Sequence, residues 1–245
     1  MCRGNASRKS AGCQCRLVFF VGAVCNIPNL SFINQTSEIA MKCNVLKPLL
    51  GVGFLLVLGT LDAQAAGDSE QGQKKFYTCA GCHGIPGYSN SYPAYHVPRI
   101  GGQHPEYVIS ALKAYQSAQR KHTSMHANAT TLTQDDMEDI ATYVARFRNN
   151  AATLPVRGDA GSGGEKAGLC AGCHGEDGNS EDPGYPKLAG QYESYLVKAL
   201  TEYRSGSRKN AIMAGFAAGL TDQDILDVSA YYASQKRGLA TVGKE

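Results

Sequence analysis

The stretch Cys79-Ala80-Gly81-Cys82-His83 returns, letter for letter, as Cys170-Ala171-Gly172-Cys173-His174. Few five-residue patterns restrict a chain so tightly. On a helical turn, residues three and four apart share a face, so each pair of thiols can reach one flat group and the following histidine stands beneath it. C-x-x-C-H is the attachment pattern for c-type haem, in which two thiols add across the porphyrin vinyl groups and the histidine binds iron. C-x-x-C without a histidine is shared with redox dithiols and zinc knuckles. A zinc ribbon separates its pairs by about 15–20 residues, whereas Cys82 and Cys170 lie much further apart. No βαβ pattern stands near either pair, as a thioredoxin-like reading would need.

The duplication extends beyond the motif. Gly67-Asp68, Gly72 and Cys79 match Gly158-Asp159, Gly163 and Cys170 at an offset of 91 residues. From Pro98-Arg99-Ile100-Gly101-Gly102-Gln103 and Pro186-Lys187-Leu188-Ala189-Gly190-Gln191 onward the offset is 88. Tyr107, Leu112, Tyr115, Arg120, Met125, Leu132 and Tyr143 keep that spacing to Tyr195, Leu200, Tyr203, Arg208, Met213, Leu220 and Tyr231. An internal repeat of this kind predicts two tandem all-α domains, residues 66–150 and 158–245, joined by a linker over 151–157 that contains Pro155. Each unit is small for an independent core, and a buried haem would supply much of the missing apolar contact.

Three main helices are expected in each copy: one running into the first cysteine, one after Gln103 or Gln191, and one capped by Thr133 or Thr221 with acids in its first turn. No strand is expected. Met125 and Met213 then fall in loops ahead of capped helices, whereas Met137 sits in an apolar helix stripe. A core role is the usual one for methionine; the equivalent loop positions favour iron ligation by the histidine–methionine precedent. His126 competes with Met125 for the first iron. His96, His104 and His122 read as solvated loop histidines. Arg120 and Arg208 could pair haem propionates through their guanidinium forks or lie on the surface. The first copy carries three extra residues after His83, in a stretch with Tyr88, Tyr92, Tyr95 and His96 that the second copy lacks.

Residues ahead of the repeat read as export. Lys42 and Lys47 precede an apolar run, Pro48 to Leu61, and Ala63-Gln64-Ala65 offers a small-x-small cleavage site, which together make a signal peptide over residues 41–65. The run is shorter than the roughly 20 residues of a spanning helix; an uncleaved anchor is the alternative. Residues 1–40, with Cys2, Cys13, Cys15 and Cys25, read as an upstream over-extension, or else as an extension of unknown role. Of nine cysteines, five precede the cleavage site and four form the two motifs, which leaves none for a disulfide. The whole chain holds 24 Lys and Arg against 21 Asp and Glu; without residues 1–65 the balance is 18 against 19. No strong basic field points to nucleic acid.

With these features in place, the chain resembles the dihaem cytochrome c4 family, two class I cytochrome c domains in tandem, from about Gly67 to Gln235. The resemblance rests on C-x-x-C-H, on Pro-x-x-x-Gly-Gln and on Arg-Lys-x-x-x-Met followed by Leu-Thr. It implies two covalently attached haem c groups, held by Cys79, Cys82, Cys170 and Cys173. It further implies His83 and His174 as proximal iron ligands, Met125 and Met213 as distal ligands, and the Pro98 and Pro186 carbonyls as hydrogen-bond acceptors for the ligand imidazoles. The activity it implies is periplasmic electron carriage between a quinol-oxidising cytochrome bc complex and a terminal oxidase. Such a carrier is not an enzyme and meets a membrane surface only through its partners. Two further readings are the dihaem subunit of a redox enzyme, such as a flavocytochrome sulfide dehydrogenase, and a dihaem peroxidase, which would need a vacant iron position.

Overall fold

A computed structural model describes residues 67–148 and 154–243. The segments read as an extension and a signal peptide, and the residues 151–153 of the linker, lie outside them. Among the described residues no helix is long and apolar enough to cross a membrane.

In the first copy α1 (Ser69–Lys75) and α2 (Tyr77–His83) stand where one helix was expected. They are followed by β1 (Ser89–Asn90) and β2 (Tyr95–His96), then α3 (Pro105–Gln116), α4 (Thr123–Ala129) and α5 (Gln134–Ala145). The second copy runs α6 (Ala160–Lys166), α7 (Gly168–His174), α8 (Glu193–Arg204), α9 (Ala211–Ala218) and α10 (Asp222–Ala233). Five short helices thus replace the three expected. The single break falls at Phe76 in one copy and Ala167 in the other, both buried.

The reason lies in how α1 meets α5. A Cβ on Gly72 would come within 2.0 Å of the Asp139 carbonyl oxygen, and one on Gly163 within 2.0 Å of that of Asp227. Backbone therefore lies on backbone at these crossings, and only glycine permits it. Each crossing is closed by a lysine on the first helix and two acids on the last. Lys75 Nζ lies 2.6 Å from both Asp136 and Asp139, and Lys166 Nζ lies 2.8 Å from both Asp224 and Asp227. Asp139 also accepts the Asp68 N–H, and Asp227 the Asp159 N–H. With the first helix so pinned, the cysteine-bearing turn departs as a separate helix. The caps at Thr133 and Thr221 are complete capping boxes with Asp136 and Asp224, as the sequence leads one to expect.

The antiparallel pair β1–β2, with Ser89 opposite His96 and Asn90 opposite Tyr95, was not expected. It lies in the stretch that is three residues longer in the first copy. Its stability comes from the other domain, since an isolated two-stranded ribbon is marginal in water. His96 receives two contacts from the Ser194 hydroxyl, at 3.0 Å to its N–H and 2.9 Å to Nδ1. Its ring stacks on Tyr192 at 4.8 Å, and Gly87 donates its N–H to the Tyr192 hydroxyl at 2.8 Å. The core of the first copy gathers Phe76, Val108, Ile140, Ala141, Val144 and, from beyond α10, Val242. That of the second gathers Ala167, Leu196, Val228 and Tyr232.

Candidate haem sites

The cysteine-bearing helices end on their histidines. Both imidazoles are buried, and each has its Nδ1 against a proline carbonyl: His83 on Pro98 at 3.0 Å, His174 on Pro186 at 2.8 Å. Nδ1 must carry the proton to make that bond, so Nε2 is left with its lone pair, the form in which imidazole binds a metal. Burial acts in the same direction, pushing both imidazoles below the ordinary histidine pKa. Burial also raises the Cys79 and Cys170 thiols. The two cysteine pairs lie in different domains, and among the described residues no group of three or more His, Cys, Asp or Glu side chains converges as a metal site.

Met125 and Met213 do not lie in loops. Each is the third residue of a short helix, α4 or α9, and its N–H is accepted by the capping side chain: Met125 by His122 Nδ1 at 3.2 Å, Met213 by Asn210 Oδ1 at 3.0 Å. His122 is therefore a helix cap and not a solvated histidine. An acceptor must be unprotonated, and burial, followed by Lys198 and Arg120, lowers its pKa accordingly. The signal was present in the sequence, because Asn210 stands at the equivalent position and asparagine is a preferred cap. His126, the competing ligand, has its Nδ1 2.8 Å from the Tyr115 carbonyl. His104 is likewise engaged, with Nε2 2.8 Å from the Ser180 carbonyl of the other domain.

Sequence reasoning left Arg120 and Arg208 divided between propionates and the surface. Both are buried. Arg120 Nη2 donates to the Tyr195 hydroxyl, and Arg208 Nη2 donates to that of Tyr107 at 3.0 Å. Each guanidinium also lies over a ring, Arg120 over Tyr115 and Arg208 over Tyr203, both at 4.5 Å. Neither has an ion-pair partner among the described residues. Buried cations without an acidic partner are costly, the more so when, like these two, they repel one another, and both fit an anionic group. Buried imidazoles with free Nε2, thiols on the same turn, a thioether on a capped helix of the same domain and guanidiniums without an ion-pair partner suit a haem with ionised propionates.

The sequence pattern of the family described as Cytochrome c matches residues 69–147 and again 165–236. Cytochrome c4 of Stutzerimonas stutzeri is 47% identical over 203 residues, which span 74% of this chain and 95% of that protein. A thiosulfate dehydrogenase electron acceptor of S. stutzeri strain A1501 is 29% identical over 211 residues, 76% of this chain and 94% of its own. Among solved structures, reduced recombinant cytochrome c4 from Pseudomonas stutzeri matches at a TM-score of 0.58 and 33% identity, covering 69% of this chain and all of that one. Two family matches, each enclosing one C-x-x-C-H, mean two covalently bound haem c groups and an electron carrier, not an enzyme. On these grounds the chain belongs to the cytochrome c family, as a dihaem electron-transfer protein of the cytochrome c4 type.

Proposed function

We propose that this protein is a periplasmic carrier that takes electrons from a quinol-oxidising cytochrome bc complex and passes them to a terminal oxidase. In this reading His83 and Met125 hold the first iron, His174 and Met213 the second, and Cys79, Cys82, Cys170 and Cys173 carry the thioether bonds. The domains are residues 66–150 and 158–245, and export through a leader over 41–65 fits covalent haem attachment outside the cytoplasm.

The observation that carries this reading is the equivalence of the two sites. Each offers a buried histidine fixed through Nδ1 and a methionine fixed through a capped helix. Bound haem supplies one-electron chemistry, alternating between ferric and ferrous iron. The residues of the chain do the rest. Pro98 and Pro186 orient the imidazoles, and the thioethers take the position that peroxide or oxygen would need. Methionine favours the ferrous state, so a high potential follows. Arg120 and Arg208 hold the propionates at the domain boundary.

A second reading, acceptor subunit of a thiosulfate-oxidising enzyme, is favoured by the likeness to thiosulfate dehydrogenase electron acceptors. Redox-titrated absorption of the purified protein tests the site assignment: two high-potential couples and a far-red sulfur-to-iron band from both ferric haems are expected. A five-coordinate iron that binds peroxide would overturn it. Reduction by a bc complex with quinol, against reduction by thiosulfate dehydrogenase with thiosulfate, separates the two partner readings.

A further inference from the structure

The segment after α10 joins the two haem sites in a way that the repeat does not mirror. It leaves the second domain near Gly238, where a Cβ would come within 2.0 Å of the Ala189 carbonyl oxygen. Leu239 donates its N–H to that same carbonyl at 2.8 Å. The next residue, Ala240, exchanges both backbone hydrogen bonds with Gly101, at 2.8 and 2.9 Å. Gly101 and Ala189 are the same position in the two copies. Each lies three residues beyond the proline whose carbonyl orients the local histidine. Two consecutive residues thus pin both proline loops.

From there the segment enters the first domain alone. Val242 donates its N–H to the His83 carbonyl at 3.1 Å. Its side chain, 1% exposed, packs in the core with Phe76, Ile140 and Val144. Among the described residues no backbone N–H reaches the His174 carbonyl. His83 is therefore held at both ends by one piece of chain: its carbonyl directly, and its ring through the Pro98–Gly101 loop.

We propose that residues 238–242 are a strap from the second domain that positions His83, with Val242 as the positioning residue. The potential and the ligation of the first haem then depend on Val242, and those of the second do not. The physical reason is that imidazole orientation and solvent access both tune a haem iron. When the strap loosens, water can approach the first haem, and solvation favours the more positive, ferric state.

The inference rests on His83 being an axial ligand. It is tested on the full-length holoprotein with Val242→Asp, with a chain stopped after Thr241, and with Val242→Ile as the conservative control. The couple belonging to the second domain is identified by the shift that Met213→His produces. The expected result is a lower midpoint for the first couple, with loss of that haem's share of the far-red band at milder denaturant. The second couple stays in place, and Val242→Ile behaves as wild type. The stopped chain keeps the test readable if Val242→Asp does not accumulate. Two unmoved couples, or two couples that move equally, would overturn the strap. A wild-type first haem whose spectrum survives His83→Ala would instead overturn the ligand assignment on which the strap depends.

Discussion

Gln103 and Gln191, 88 residues apart, each hold the backbone of the other's domain. Gln103 Oε1 accepts the Lys187 N–H at 2.9 Å and its Nε2 donates to the Lys187 carbonyl at 3.0 Å. Gln191 Oε1 accepts the Arg99 N–H and its Nε2 donates to the Arg99 carbonyl, both at 2.8 Å. Lys187 and Arg99 are themselves equivalent positions, so the domain interface is a two-fold exchange. Each glutamine is buried and does for its neighbour what a paired strand would do.

Truncation of either glutamine leaves a backbone N–H and a carbonyl without that partner at the boundary. Gln191→Ala is expected to lower unfolding free energy by about 1–3 kcal/mol, the cost of a buried polar group left unsatisfied. Denaturant unfolding of the holoprotein, followed by haem absorption, checks this. A loss near zero would mean that water replaces the amide without cost.

The distal ligands separate the two domains spectroscopically. Met213→His is expected to lower one midpoint potential and leave the other nearly unchanged, because imidazole favours ferric iron more than a thioether does. Met125→Ala should open the first iron to added imidazole. His126 is expected to keep its place on the Tyr115 carbonyl in that variant and not to swing in for the thioether. Bis-histidine signals from unliganded Met125→Ala would show that this tie is too weak.

Arg120 lies close enough to His83 for its charge to act on the imidazole, and Arg208 lies close enough to act on Arg120. Removing a buried cation stabilises the more positive, ferric state, so Arg120→Met and Arg208→Met should each lower a midpoint potential. Tyr195→Phe removes only the hydroxyl that Arg120 holds and should shift potential less. Potentiometry on the three variants decides; arginine variants with wild-type potentials would place the propionates elsewhere.

The lysine–carboxylate clusters govern behaviour in acid. The Lys166 hydrogen bond, with help from Gln223 and the Asp159 N–H, holds Asp227 at about 2, and Lys75 and the Thr133 cap hold Asp136 at about 2. A carboxylate whose folded pKa lies below its unfolded value stabilises the fold fully above the ordinary value near 4, and that contribution is lost as pH falls toward 2. Asp227→Asn should therefore weaken the protein at neutral pH and flatten its loss of stability between about pH 4 and 2. Acid titration followed by far-UV circular dichroism measures it; an unchanged slope would assign the acid response to other groups.

The repeat, the two C-x-x-C-H turns, the capping threonines and the all-α class were legible in the chain because each is local. A thiol pair needs one helical turn, and a capping box spans four residues. The cap at His122 was half legible, since its counterpart Asn210 is a common cap and histidine is not. The relations between domains could not be read in this way. That Arg120 and Arg208 are buried depends on Tyr195 and Tyr107, which lie 75 and 101 residues away. The β1–β2 pair exists because Tyr192 and Ser194 stand ready to receive it. Val242 looks like any valine in a polar tail until the chain has returned to the His83 carbonyl. Covalent spacing and local propensity are written in neighbouring residues, whereas burial and pairing across an interface are set only when distant segments have packed.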